Sequence, residues 1–245
     1  MGGDHRRVNP DLPLSRAILS AQEQGIVPVI ADIKPVSPRD GDLLSHRAPA
    51  ELARTLAGAC ACALSVVTEP RDFGGSCAML AEVSDAVSLP VLRKDFFSAP
   101  EQIAESHAAN ASAVLLIMAT IPDPLASQLY QETRRLGMEA VVEIHTRREL
   151  DRALALDPTI IGINNRNILE LETDLSDVRV TEELAPFVPD SITTISESSL
   201  NTPEEVRRAR QAGVDAVLIG TAILQAPDIA ARLKTFIDAE ESHAV

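Results

Sequence analysis

Short apolar runs recur along the whole chain, and most lack strict alternation. They are "PVIADI" (28–33), "ALSVVT" (63–68), "LPVLRK" (89–94), "SAVLLIM" (112–118), "EAVVEI" (139–144), "TIIGIN" (159–164), "ITTIS" (192–196) and "DAVLIG" (215–220). Val- and Ile-rich runs with no polar face are the pattern of strands covered on both sides. Between them the spacing becomes that of amphipathic helices, most clearly in "APAELARTLAGA" (48–59), "APEQIAESHAAN" (99–110) and "TPEEVRRARQAG" (202–213). Each opens with Pro near its first turn. Ser98 and Thr202 are the expected N-caps, and Gly213 is an expected helix stop.

Eight such units follow one another with no Gly/Ser or charged linker between them. The prediction is one α/β domain over 1–245, a (β/α)8 TIM barrel. A doubly wound open sheet is the alternative, but eight consecutive units favour closure. Residues 1–27 form a lead-in, and "LPLSRAILSAQEQG" (12–25) reads as an amphipathic helix that covers the barrel bottom.

Composition narrows the function. Aromatics are only 2% of 245 residues, so the core is built from Ala, Val, Leu and Ile. A net charge of −14 argues against nonspecific binding to nucleic acid or anionic membrane. No apolar run reaches the roughly 18 residues of a membrane span, and the N-terminal stretch lacks the apolar core of a signal peptide. A cytoplasmic location is expected, with neither nucleic acid nor membrane as partner. Cys60, Cys62 and Cys77 have neither paired nor zinc spacing and read as small buried residues near a strand. The five histidines are scattered without metal spacing. His145 is open to reading as a ligand, a base or a satisfied histidine. The Arg-rich "RREL" (147–150) and "RRAR" (207–210) read as solvated helix faces.

In a barrel of this kind the reacting groups stand at the C-terminal ends of the strands. The residues there are Asp32, Lys34 and Ser37; Lys94 and Asp95; Glu143; Asn164 and Arg166; Ser196, Glu197 and Ser198; and Gly220 and Thr221. Lysine occurs only at 34, 94 and 234, against a total of 22 basic residues. Two of the three are in this set. Arg cannot be deprotonated, whereas burial and neighbours tune a Lys, so the pattern suggests a need for an amine. A structural pair between Lys94 and Asp95 is the other reading. Small residues in "SESSL" and "LIGTAIL" suit a phosphate site at the last two strands.

These segments resemble, in order, the motifs of the indole-3-glycerol phosphate synthases. "VIADIKPVSPRDG" is similar to the family's first-strand pattern I-A-E-I-K-x-x-S-P-S-x-G, and "SVVTEPRDFGGS" (65–76) to its second. "LPVLRKDFF", "VVEIHT", "IIGINNRNIL", "ISESS" and "VLIGTAIL" resemble the later ones. The resemblance implies closure of an indole ring in tryptophan biosynthesis. 1-(2-Carboxyphenylamino)-1-deoxyribulose 5-phosphate becomes indole-3-glycerol phosphate, CO2 and water, with no metal or organic cofactor. By position it implies Lys94 as general acid and Lys34 as partner of the substrate carboxylate. Glu143 and Asp32 become the proton-transfer acids of the dehydration, and Asn164 and Arg166 orient the ring-closing centre. Phe73 and Phe96 contact the aromatic ring. Ser37, Ser198, Ser199, Gly220 and Thr221 hold the phosphate with help from Glu197. A monomer or weak homo-oligomer is expected.

The chain departs from the pattern at three places. Asp32 stands where the family usually has Glu, Pro35 where many members have Arg, and Ser199 where a phosphate-loop Gly is usual. The lead-in is also shorter than in many members. Asp32 and Ser199 leave two alternatives open: a related barrel acting on another phosphoribosyl compound, and a non-catalytic phosphosugar-binding paralogue.

Overall fold

Each of the eight apolar runs becomes a strand of a parallel barrel in a computed structural model, which describes residues 13–166 and 177–239. The strands are β1 (Val29–Ile33), β4 (Ala63–Val67), β5 (Val91–Lys94), β6 (Ala113–Ile117), β7 (Glu139–Ile144), β8 (Ile160–Asn164), β9 (Thr193–Glu197) and β10 (Ala216–Ile219). They run in sequence order around the barrel, and β10 pairs with β1 to close it. A small hairpin of β2 (Val36–Ser37) and β3 (Gly41–Asp42) rises from the first loop.

Around the strands lie α2 (Pro49–Gly58), α3 (Cys77–Ala86), α4 (Pro100–Ala108), α5 (Asp123–Arg135), α6 (Arg147–Leu154), α7 (Arg179–Leu184), α8 (Pro203–Gln211), α9 (Thr221–Leu224) and α10 (Ile229–Ile237). Two apolar layers result. Val29, Ala31 and Ile33 of β1 pack outward in the layer beneath the helices. Ile30 of the same strand points into an inner cluster with Leu92, Leu115, Val141, Ile160 and Ile195. This double burial is why the strands read as continuous apolar runs.

Ahead of β1, α1 (Pro13–Glu23) plugs the N-terminal end, and its Leu14, Ile18 and Ala21 join the inner cluster. Its first turn is anchored by Glu139 at the start of β7. Glu139 Oε2 accepts from Leu14 N at 2.7 Å and Ser15 N at 3.0 Å, satisfying backbone donors that have no partner within the helix. The lead-in before residue 13 and the end of the "IIGINNRNIL" segment (167–169) lie outside the described residues. Among the described residues no helix is long and apolar enough to cross a membrane.

Three local expectations fare differently. Thr202 caps α8 in a reciprocal box with Glu205, and Gly213 takes a positive φ of 101° just past that helix. Ser98 is not the cap of α4. Ala99 holds that position, and the side chain of Gln102 accepts from Ser98 N and Ala99 N, so the later Gln does the work expected of the earlier Ser. Cys62 is buried, and burial pushes its thiol up to about 12. Cys60 is exposed and Cys77 half-buried at the start of α3. Cys60 sits in a left-handed turn (φ 70°) that carries it out to the surface.

Candidate active site

The inward-facing rows of the barrel continue upward into polar residues. Ile30, Leu92, Val141, Ile195 and Leu218 belong to the inner cluster. Two positions further along stand Asp32, Lys94, Glu143, Glu197 and Gly220. They face the same way because strand side chains alternate. Asn164 continues the row of Ile160 in β8. The apolar layers below set the height at which these groups converge.

Lys94 Nζ lies 3.2 Å from Glu197 Oε2. Glu197 is fully buried. Burial pushes its pKa up to about 7, the Lys94 charge works against that, and Glu143 and Asp32 add to it. Glu143 is also buried, and its Oε2 accepts from Asn164 Nδ2 at 3.1 Å. Asn164 Oδ1 accepts in turn from Arg166 N. Asp32 Oδ1 accepts from Ser65 Oγ at 2.7 Å. Asp95 pairs with Arg93 at 2.8 Å and accepts from Thr68 Oγ1. Alternation sends Arg93 outward toward α4 and Lys94 inward, so the neighbours in sequence have different partners.

Above these groups the cleft has two lobes. One, about 520 Å³ of open space, is bounded by Phe73, Phe96, Val67, Leu115 and Ile117, with Glu143 and Asn164 on its polar side. The other, about 400 Å³, runs along Ser198, Ser199, Leu200 and Asn201 and along Gly220, Thr221 and Ala222. Asp32, Lys34, Lys94, Arg166 and Ser198 border both. The charged groups therefore stand at the junction of an apolar and a polar lobe. Lys34 Nζ is 5.9 Å from the centre of the Phe73 ring. Ser198 and Ser199 have φ of 65° and 58°, the left-handed conformation that favours Gly and that Ser adopts at some cost. Gly220 makes a close approach to β1: a Cβ there would lie 3.0 Å from Asp32 Cβ and Oδ2, so any larger residue would press on the Asp32 side chain.

Two expected ligands of the polar lobe are placed elsewhere. Glu197 sits beneath Lys94 and borders neither lobe. Ser37 is buried with its hydroxyl 3.2 Å from Asp40 Oδ2, also outside both linings. His145 lies behind Glu143, its Nδ1 3.2 Å from Glu149 Oε2.

Some supporting residues carried no clear sequence signal. Asn165 Nδ2 donates to Ser196 Oγ, Glu197 O and Ser198 O, while its Oδ1 accepts from Thr181 N. It ties the end of β9 to the start of α7. Glu69 accepts from the backbone N–H groups of Arg71, Asp72 and Phe73 and so folds the loop that presents Phe73. Gly162, in the middle of β8, is the one such residue with a readable cue, because Gly inside a strand marks a close approach.

A family model described as indole-3-glycerol phosphate synthase matches residues 3–236. Among curated proteins, the indole-3-glycerol phosphate synthase of Pyrococcus furiosus is 42% identical over 93% of this chain and 97% of its own length. The protein of the same name from Halobacterium salinarum is 42% identical over 91% of this chain and 86% of its own. That from Azospirillum brasilense is 37% identical over 96% and 88%. With a family model spanning nearly the whole chain and relatives of this identity, the chain belongs to the indole-3-glycerol phosphate synthase family.

Proposed function

We propose that this chain is an enzyme of tryptophan biosynthesis that converts 1-(2-carboxyphenylamino)-1-deoxyribulose 5-phosphate to indole-3-glycerol phosphate, a carboxy-lyase reaction. The observation that carries the reading is the junction. Two lysines and Asp32 stand between an aromatic-lined lobe and a polar lobe, which suits a substrate with an aryl ring at one end and a phosphate at the other.

In this reading Phe73 and Phe96 flank the aryl ring, and Lys34 pairs with its carboxylate. Lys94 donates a proton to the ribulose carbonyl oxygen as the ring carbon attacks the carbonyl carbon. The carboxylate then leaves as CO2, and its bonding electrons restore the aromatic ring. Loss of the new hydroxyl as water, with proton transfer through Glu143 and Asp32, forms the indole. Glu197, hydrogen-bonded to Lys94 and with its pKa near neutrality, is placed to return a proton to the spent amine. Asn164 orients Glu143, and Arg166 faces both ends of the substrate. The phosphate lies in the polar lobe against Ser198, Ser199, Gly220 and Thr221. The reaction is placed in the cytoplasm, with the chain as a monomer or weak homo-oligomer.

The test is direct. Purified protein given this substrate should produce the indole chromophore with one CO2 per indole. Absence of the chromophore at high enzyme concentration would overturn the assignment. The alternatives of another phosphoribosyl substrate or a binding-only role are not favoured, since relatives of this identity share the synthase name.

A further inference from the structure

One pair of buried atoms beside this site is unexplained by the roles above. Glu143 Oε1 and His145 Nε2 face each other at 3.4 Å, and neither has a hydrogen-bond partner among the described residues. Buried polar atoms are rarely left so. The other ring nitrogen is not idle: His145 Nδ1 lies 3.2 Å from Glu149 Oε2, and the same oxygen accepts from His145 N at 2.7 Å. The imidazole thus stands between two carboxylates, one on each nitrogen.

A neutral imidazole has one N–H and can donate to only one of them. Only the imidazolium donates to both. We propose that His145 is a positioning residue for the reaction: Glu149 fixes its ring, and its Nε2–H holds the carboxylate of Glu143 in the plane from which Glu143 transfers protons. Asn164 Nδ2 holds the other oxygen, Oε2, at 3.1 Å, so the carboxylate is gripped from two sides at the edge of the cleft. A 3.4 Å separation is long for a hydrogen bond, but contacts of this kind tighten when substrate fills the site.

The surroundings agree. Burial pulls the pKa of His145 down. The hydrogen bond to Glu149 and the charges of Glu143 on β7, Glu149 on α6 and Glu197 on β9 outweigh it, and the net direction is up from 6.5. Lys94, the cation on β5, is paired with Glu197, which tempers the contribution of that acid.

The inference rests on the reading of Glu143 as a proton-transfer group, and the experiment separates the two. The first measurement needs no turnover: the His145 ring proton is followed by NMR against pH, assigned by its absence in His145→Gln. The expected midpoint lies above 6.5 and moves down in Glu149→Gln. A midpoint at or below 6.5 in the parent would overturn the proposal whatever the activity. The second is the pH profile of kcat. His145→Ala should lose about 10- to 10²-fold in kcat with KM within about threefold, the signature of an acid held out of line rather than of lost binding. The parent should show an alkaline limb at the NMR midpoint. His145→Gln keeps a neutral donor, so it should recover part of kcat and lack that limb. An unchanged limb in His145→Gln, or kcat near the parent value in a folded His145→Ala, would also overturn the proposal. A parent that makes no indole would refute the assigned function, and the titration alone would then decide the state of His145.

Discussion

Gly162 of β8 leaves the space that the Glu197 carboxylate of β9 occupies: a Cβ on Gly162 would overlap Glu197 Oε1, with Val141 Cγ1 at 3.1 Å behind it. The acid beneath Lys94 is therefore seated by a missing side chain on the neighbouring strand. Gly162→Ala must shift the carboxylate, because the added Cβ overlaps its Oε1. The expected outcome is a fall in kcat of about 10²-fold, with a stability loss of about 1–3 kcal/mol from overpacking. Steady-state kinetics and thermal unfolding of the variant measure both. Parent-level kcat would show that Glu197 needs no fixed seat.

Lys94→Arg keeps the charge and the ion pair with Glu197 within reach but removes the transferable proton. Turnover should drop by about 10²- to 10⁴-fold, while inorganic phosphate still competes for the polar lobe with a similar inhibition constant. Near-normal kcat would remove Lys94 from the acid role.

Asp32→Glu should stay within roughly tenfold of the parent in kcat/KM. The Asp32 carboxylate is held by Ser65 on one side and packs near Gly220 on the other. It borders both lobes, the side toward which an added methylene has to extend. Asp32→Asn keeps the shape and loses the acid, and should lose far more. Paired kinetics on one substrate decide it. Loss beyond about 10²-fold with Glu would mean that the first loop has closed in around the shorter acid. Full activity with Asn would leave the proton transfers to Glu143.

Glu197 also makes a stability prediction. Its folded-state pKa is raised from 4.5 to about 7, mainly by burial, so folding favours the protonated form. Its contribution to stability is whole below 4.5 and is lost as pH rises through about 7. Glu197→Gln has no charge to bury, so its Tm relative to the parent should improve between about pH 5 and about pH 8. A difference that is flat across that range would contradict the raised pKa.

The barrel was legible in the sequence because a strand covered on both faces leaves an unbroken apolar run. The eight runs end within two residues of the strands they became. The candidate residues are legible as chemistry at strand ends, and the period of two then turns Asp32, Lys94, Glu143 and Asn164 toward one cleft. The partners are not. Lys94 and Glu197 are 103 residues apart in the chain, and only closure of the barrel makes them neighbours. From its place next to Ser198 the sequence alone puts Glu197 beside the phosphate, whereas its carboxylate pairs with Lys94. Asn165 and Glu69 carry no mark in the sequence because their carboxamide and carboxylate act on backbone, holding loops in place.

The floor of the barrel bears on the order in which the chain assembles. The seat of α1 is made of residues scattered from Ile30 to Leu218, and the carboxylate that receives its first turn is 125 residues downstream of Leu14. Contacts so distant in sequence form only after the intervening chain has folded back. During synthesis α1 precedes every strand of the barrel, and its apolar face stays partly bare until β7 and the later strands exist. A chain halted before Glu139 lacks the carboxylate that receives the first turn of α1 and the later part of its apolar seat. Seating of α1 is then a mark of completion, and the nascent protein must be kept from aggregating through that face until the last strands arrive.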